Sequence, residues 1–262
     1  SKKTFRKCSV LYDFCRTVDD IVDENGQLVE KKRKFLEFKL EFQNKKFSNS
    51  IIKNIHILLE EENISHKIIN DLFDGIESDL KDKVSLNTKK DLLIYSYQVA
   101  GTVGLMMAKI LKVKDKQSLR CAIDLGVAMQ LTNIARDVVE DKKRNRSYIK
   151  TDFNSISETI FLADTFYQSS FMAIKDIPIF SRFAILVARR MYKKIGHKIL
   201  AQRNMKAYND AGKVHVSVLG KIVETFLSFL DFVKLFFVNS SDPKKQNEHI
   251  MLHKEINLDE KI

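Results

Sequence analysis

The sequence is short of residues that turn a chain. Only two prolines and eight glycines serve 262 residues. Strand-rich folds need many turns, so this scarcity points away from them and towards long helices. Cysteine is also scarce. Cys8, Cys15 and Cys121 form no Cys-x-x-Cys pair, so buried free thiols in a reducing compartment are expected. No secretory leader is visible. Uninterrupted apolar runs of membrane-spanning length are missing as well. Residues 92–111 are long enough, but they hold Tyr95, Ser96, Gln98 and two glycines, which suits a helix inside a bundle. Residues 219–238 carry Lys221, Glu224, Asp231 and Lys234 at helical spacing, which marks an amphipathic helix rather than a span. That helix reads either as a packing helix or as one lying in a membrane interface, and the expected location is cytoplasmic, with peripheral contact at a membrane.

What is present fits this picture. Apolar residues make up 44% of the chain, enough for a substantial core, and the 30% charged fraction suits wet outer helix faces. The net charge of +11 points to an anionic membrane or a phosphorylated substrate as a partner, or to a lysine-rich surface. The basic residues are spread along the chain and match no nucleic-acid-binding motif, so no nucleic-acid partner is expected. Helices are expected over residues 5–24, 28–43, 49–61, 65–80, 89–111, 115–140, 155–174, 179–202 and 215–238. Nothing divides the chain into two domains. Residues 1–240 are read as one all-α domain and residues 241–262 as a polar, disordered tail.

Two acidic stripes stand out. In "YDFCRTVDDIVDENG" (12–26), Asp19 and Asp23 lie one turn apart, with Arg16 and Tyr12 on the same line. Asp20 and Glu24 sit one position off it, as supporting or solvated acids. In "AMQLTNIARDVVEDKKRNR", Gln130, Asn133, Asp137 and Asp141 share a second face, with Arg136 beside it. Amides in so apolar a run cost a few kcal/mol if buried without partners, so they need a specific job. Either acidic pair alone is an ordinary helix feature. Facing each other, the two would rim a cleft with four carboxylates. Mg²⁺ prefers one or two carboxylates plus phosphate oxygens and water. Arg16, Arg136, Arg144 and Arg146 would then hold phosphate through charge-assisted hydrogen bonds. No His or Cys cluster accompanies the acids, which disfavours zinc.

The blocks "YDFCRTVDDIVDE", "YQVAGTVGLMM" and "AMQLTNIARDVVEDKKRNRSYI" resemble the signature blocks of the phytoene/squalene synthase family in order and spacing. "DLFDGIESDL" (71–80) resembles the block before the second signature. The resemblance is close over most of residues 5–150 and looser beyond. It implies an all-α, single-domain isoprenoid-synthase helix bundle with a central cavity. It also implies Mg²⁺-dependent head-to-head joining of two prenyl diphosphates, with Mn²⁺ as a substitute ion. By position, Asp19, Asp23, Asn133, Asp137 and Asp141 match the metal-holding motifs. Tyr12, Arg16, Gln130, Arg136, Arg146 and Tyr148 match substrate-contacting positions, and Tyr95 a tyrosine close to the reacting carbons. Val99, Val103 and Met106 or Met107 would form an apolar wall that shields a carbocation from water. Gly101 and Gly104 would leave room there for a prenyl chain or a close helix.

"VAGTVGLMMA" and "QLTNIARDVVED" look more like phytoene synthases, which join two C20 geranylgeranyl diphosphates without NADPH in carotenoid biosynthesis. The rival enzyme reading is a squalene or dehydrosqualene synthase using two C15 farnesyl diphosphates. The rival from another class is a non-catalytic, membrane-associated assembly factor of the same fold, which would be expected to lose motif acids. Two departures from the family pattern are expected to matter. A Ser/Phe-rich segment normally precedes the point where this chain begins, so an N-terminal segment is expected to be missing. Tyr208 falls out of the usual register and receives no role. Oligomeric state is left open.

Overall fold

Short polar side chains mark most of the helix starts, each accepting a backbone N–H that the first turn leaves without a partner. Asn49 does this for Ile51 and Ile52, Ser65 for Lys67, Asp115 for Ser118 and Asp152 for Ser155. Thr88 and Asp91 close a reciprocal capping box. The computed structural model describes residues 1–23, 26–237 and 247–262. In these, α1 spans Lys2–Asp23, α2 Leu28–Gln43, α3 Ser50–Glu61 and α4 His66–Ser78. They are followed by α5 (Lys89–Ser96), α6 (Thr102–Ile110), α7 (Lys116–Lys143), α8 (Phe153–Phe171) and α9 (Ile179–Leu200). The chain continues with α10 (Met205–Ala211), α11 (Val218–Lys234) and α12 (Asn247–Glu255). No helix among the described residues is long and apolar enough to cross a membrane.

Helix α7 is the axis of the fold. Its 28 residues run about 42 Å. Buried side chains point to every side of it, among them Ile123, Val127, Leu131, Ile134 and Val138. It packs against α5, α6, α8 and α9. Helix α1 is fixed by its apolar stripe of Leu11, Phe14, Val18 and Val22. Phe14 sits among the rings of Phe38, Phe42 and Phe73, with centroids 5.9 to 6.0 Å away. That anchoring fixes the rotation of α1, and with it the direction of Asp19 and Asp23.

The segment expected as one helix over 89–111 is interrupted. A π-helical turn, Tyr97–Gly101, separates α5 from α6. Such a turn adds a residue to the local repeat and re-aims the side chains on either side. The same segment approaches α7 very closely. A Cβ added to Gly104 would lie 2.3 Å from Ala122 O, and one on Gly126 would lie 2.3 Å from Ala100 O. These glycines permit the close helix contact that is one of the two roles expected for Gly104.

Two further expectations change. The polar loop after α7 forms a two-residue strand, β2 (Arg146–Ser147), parallel to β1 (Val84–Ser85). Val84 N donates to Asn145 O at 3.1 Å, and Leu86 N to Ser147 O at 3.2 Å. The expected disordered tail is a correction from residue 247 onwards; residues 241–246 lie outside the described residues. His249, Leu252 and Ile256 recur at helical spacing and are buried, so the tail has an apolar stripe that its polar composition conceals. Arg120 to Asp259 at 2.7 Å and Lys67 to Glu260 at 2.9 Å hold its end.

Candidate functional site

The two acidic stripes do face each other. Asp19 and Asp23 from α1 and Asn133, Asp137 and Asp141 from α7 line one polar cavity of about 360 Å³. Arg136, Arg144, Arg146, Tyr95 and Tyr148 line it too. An apolar chamber of about 550 Å³ adjoins it, walled by residues such as Val103, Met107, Ala122, Leu125, Ile177 and Ile185. Asp19, Val99, Gln130 and Asn133 border both spaces. A charged mouth therefore opens onto an oily interior. Met107 is the wall residue of the expected pair, while Met106 is wholly buried in the core.

The carboxylates are not drawn into a cage. Among the described residues, no three His, Cys, Asp or Glu side chains converge as a metal centre. Like charges repel, and cationic side chains separate these. Arg136 grips Asp137 with two bonds, Nε to Oδ1 at 2.8 Å and Nη2 to Oδ2 at 2.6 Å. Lys213 stands 3.5 Å from Asp137. Arg146 Nη1 donates to Asp23 at 3.1 Å, with Arg144 at 3.4 Å. Arg16 departs from its expected line: it is exposed and pairs with Asp20 at 2.7 Å, on the rim of the apolar chamber beside Tyr12. Asp20 is thus a supporting acid, and Glu24 lies outside the described residues.

The acids nonetheless carry the marks of a cation site. Burial, then the neighbouring Asp137, push the Asp141 carboxyl up to about 7, while Arg146 pulls it down. Burial and then Asp23 push Asp19 up to about 6. Asp19 has a solvent-exposed edge within this concave mouth, so its shift is the weaker sign of the two. Asn133 Oδ1 is buried with no hydrogen-bond partner among the described residues. An acceptor left without a donor at the junction of the two spaces is costly unless a donor or a cation meets it there. These are all hard oxygen donors, which suit Mg²⁺ or Mn²⁺ shared with phosphate oxygens better than a softer ion.

Asp79 is the residue that the sequence reading missed. It follows directly on α4 and accepts hydrogen bonds from Tyr95 Oη at 2.8 Å and Tyr148 Oη at 2.6 Å. The two rings stack with centroids 4.7 Å apart. Burial raises the Asp79 carboxyl above the usual range, against the pull of Arg146 and both phenols. Burial, then Asp79, push the Tyr95 phenol far up, so it stays protonated and acts as a donor. The strand pair β1–β2 sets this arrangement, because it fixes Arg146 and Tyr148 two residues apart at the cavity wall. One signal was available in the sequence: an acid at a helix C-terminus faces the negative end of the dipole and needs another reason to be there.

Tyr208 also gains a place. Its hydroxyl reaches Arg136 O at 2.6 Å and Ala135 O at 3.0 Å. It therefore braces α7 at the turn that carries Asp137.

Comparison with known proteins agrees with this geometry. The squalene/phytoene synthase family model matches residues 3–155. A 15-cis-phytoene synthase of Enterobacter agglomerans is 30% identical over 233 residues, covering 76% of this chain and 78% of its own. One of Pantoea ananas is 28% identical over 230 residues, covering 75% of this chain and 74% of its own. Among solved structures, a dehydrosqualene synthase in complex with ligand superimposes with a TM-score of 0.70 at 25% identity. That match covers 89% of this chain and 88% of that one. By sequence match and by its all-α architecture, this chain belongs to the squalene/phytoene synthase family of prenyltransferases.

Proposed function

We propose that this chain joins two geranylgeranyl diphosphates head to head to give phytoene, through a cyclopropylcarbinyl diphosphate. The observation that carries the proposal is the polar mouth opening onto the apolar chamber across Asp19, Val99, Gln130 and Asn133. A prenyl diphosphate has the same two halves. The donor set fits Mg²⁺ held by Asp19, Asp23, Asn133, Asp137 and Asp141, and the ion would neutralise charge on the departing diphosphate. The arginines of the mouth bind the same oxygens; Arg144 and Arg146 are joined there by Arg136 when it exchanges Asp137 for phosphate. Tyr12 and Arg16 would guard the rim of the chamber.

The overall reaction breaks two C–O bonds, releases two diphosphates and gives up two protons. The wall of Val99, Val103 and Met107 keeps water from the allylic cation, which water would otherwise trap as an alcohol. Tyr95, held protonated against Asp79, lines the polar mouth beside Val99, where the diphosphate end of the substrate would sit. Peripheral membrane contact belongs to this reading, since both substrate and product are lipids.

The similarity to a dehydrosqualene synthase keeps a second reading in view, in which two farnesyl diphosphates are joined instead. Purified protein incubated with Mg²⁺ and labelled geranylgeranyl or farnesyl diphosphate, with and without NADPH, separates these readings. A C40 hydrocarbon formed without NADPH is expected. A C30 product alone overturns the choice of substrate. No turnover by folded protein with either substrate overturns the enzyme reading in favour of an assembly factor.

A further inference from the structure

Helix α11 is packed with its polar side inward. Glu224 and Ser228 are buried, and Arg190 of α9 pairs with Glu224 at 2.9 Å and with Asp231 at 2.8 Å. The outward side carries Leu219, Ile222, Phe226, Phe229 and Leu230, each more than half exposed. Ordinary surface helices have the opposite arrangement. Helices α9 and α11 run antiparallel, since Arg190 meets the middle of α11 while Phe183 packs on Phe232 near its end. The same end of the pair therefore exposes Phe180, at 97%, and Phe236 and Phe237. An apolar strip of this length on one side of a protein marks a contact surface.

Charge indicates what covers it. No acid of α11 is exposed, whereas Lys221 and Lys234 are. Alongside runs a groove of about 410 Å³, where Arg189, Arg190, Lys193, Lys194 and Lys234 outnumber Glu224 and Asp231. A second copy docked by two-fold symmetry would bring these cations against themselves. Glu224, Asp231 and Asp164 already pair Arg190, Lys194 and Lys193; lipid phosphates would neutralise the remaining excess, with Lys221 and Lys234 beside it. The apolar chamber is also closed on this side, by Ile177, Ile185 and Ala188 at and before the first turns of α9. The docking face and the chamber wall thus share one element.

We infer that α11, with the first turn of α9, seats this chain on an anionic lipid surface. The apolar strip lies in the headgroup boundary and the basic groove lies against the lipid phosphates. The inference rests on the proposed function only for what passes through the chamber; the contact itself needs no substrate.

The test is flotation of the full chain with vesicles of phosphatidylcholine alone or mixed with phosphatidylglycerol, without substrate. Wild-type protein should float with the mixed vesicles and less with the neutral ones. The Phe226→Asp/Leu230→Asp double variant, changed only at exposed positions, should keep its helical circular dichroism and lose more than about tenfold in vesicle binding. Its turnover on detergent-dispersed substrate should match wild type. Wild-type protein that fails to float, or a folded double variant that floats as well as wild type, overturns the inference. So does a wild-type dimer in sedimentation that the double variant abolishes without any flotation. Absent turnover in both proteins, with flotation as described, removes the proposed reaction and leaves the lipid contact standing.

Discussion

Asp141→Asn should move stability and turnover in opposite directions. The Asp141 carboxyl rises from its ordinary 3.8 to about 7, by burial first and then by Asp137. The unfolded chain releases this proton near 3.8, and the folded chain holds it until about 7. Between those values the folded state binds more protons, so its stability falls as pH rises. The loss is complete above about pH 7. Three pH units correspond to about 4 kcal/mol. The side chain is only part-buried, and screening by water brings the expected figure nearer about 2 kcal/mol. Asparagine keeps the shape and has no charge to desolvate. Without Mg²⁺, the variant should therefore be about 2 kcal/mol more stable than wild type at pH 8, with the gap closing near pH 4. Mg²⁺ at pH 8 should stabilise wild type more than the variant, because the ion binds the ionised carboxylate. Turnover should drop by about a hundredfold or more. Urea melts at both pH values, with and without Mg²⁺, and initial rates read these effects. A variant no more stable than wild type at pH 8, or one that retains full turnover, refutes the reasoning.

Asp79→Ala should cost about 1–3 kcal/mol in urea melts and most of the turnover, since it removes the shared acceptor of two buried phenol hydroxyls and leaves them only each other; Asp79→Asn should cost less stability and show the same direction in rate. Gly104→Ala places a methyl 2.3 Å from Ala122 O and should destabilise by about 1–3 kcal/mol in thermal melts. Met107→Trp fills part of the apolar chamber, so product analysis should show a shift towards a shorter hydrocarbon with little change in Mg²⁺ dependence. Tyr208→Phe loses its bond to α7 and should cost about 1 kcal/mol in urea melts.

Much of the fold was legible because its helices announce themselves locally. The boundaries of α2 and α3 fall within one residue of the expected ranges, set by apolar spacing and capping chemistry. The pairing of the two acidic stripes was legible because both lie at i, i+4 inside apolar sequence, each beside an arginine. Other features depend on distant partners. Asp79 meets Tyr95 and Tyr148, which lie 16 and 69 positions away, and no local pattern encodes that meeting. Arg16 could reach either Asp19 or Asp20 from its place on α1, and in its exposed setting it pairs with Asp20. The π-helical turn arises where α4 and α7 both press on residues 97–101, and helical periodicity alone does not reveal such crowding. The inward polar side of α11 follows from the arginines and lysines of α9, so its amphipathic pattern could be read without its orientation.

The central claim is that the two acidic stripes and the apolar chamber form a single prenyl diphosphate site. A crystal structure of the chain with Mg²⁺ and geranylgeranyl thiodiphosphate, which resists ionisation, tests it most directly. The diphosphate should lie between Asp19 and Asp23 of α1 and Asn133, Asp137 and Asp141 of α7, with Arg146 on its oxygens and the chain passing Val99 towards Met107. Diphosphate bound instead in the basic groove between α9 and α11, with the apolar chamber unfilled, would contradict the account.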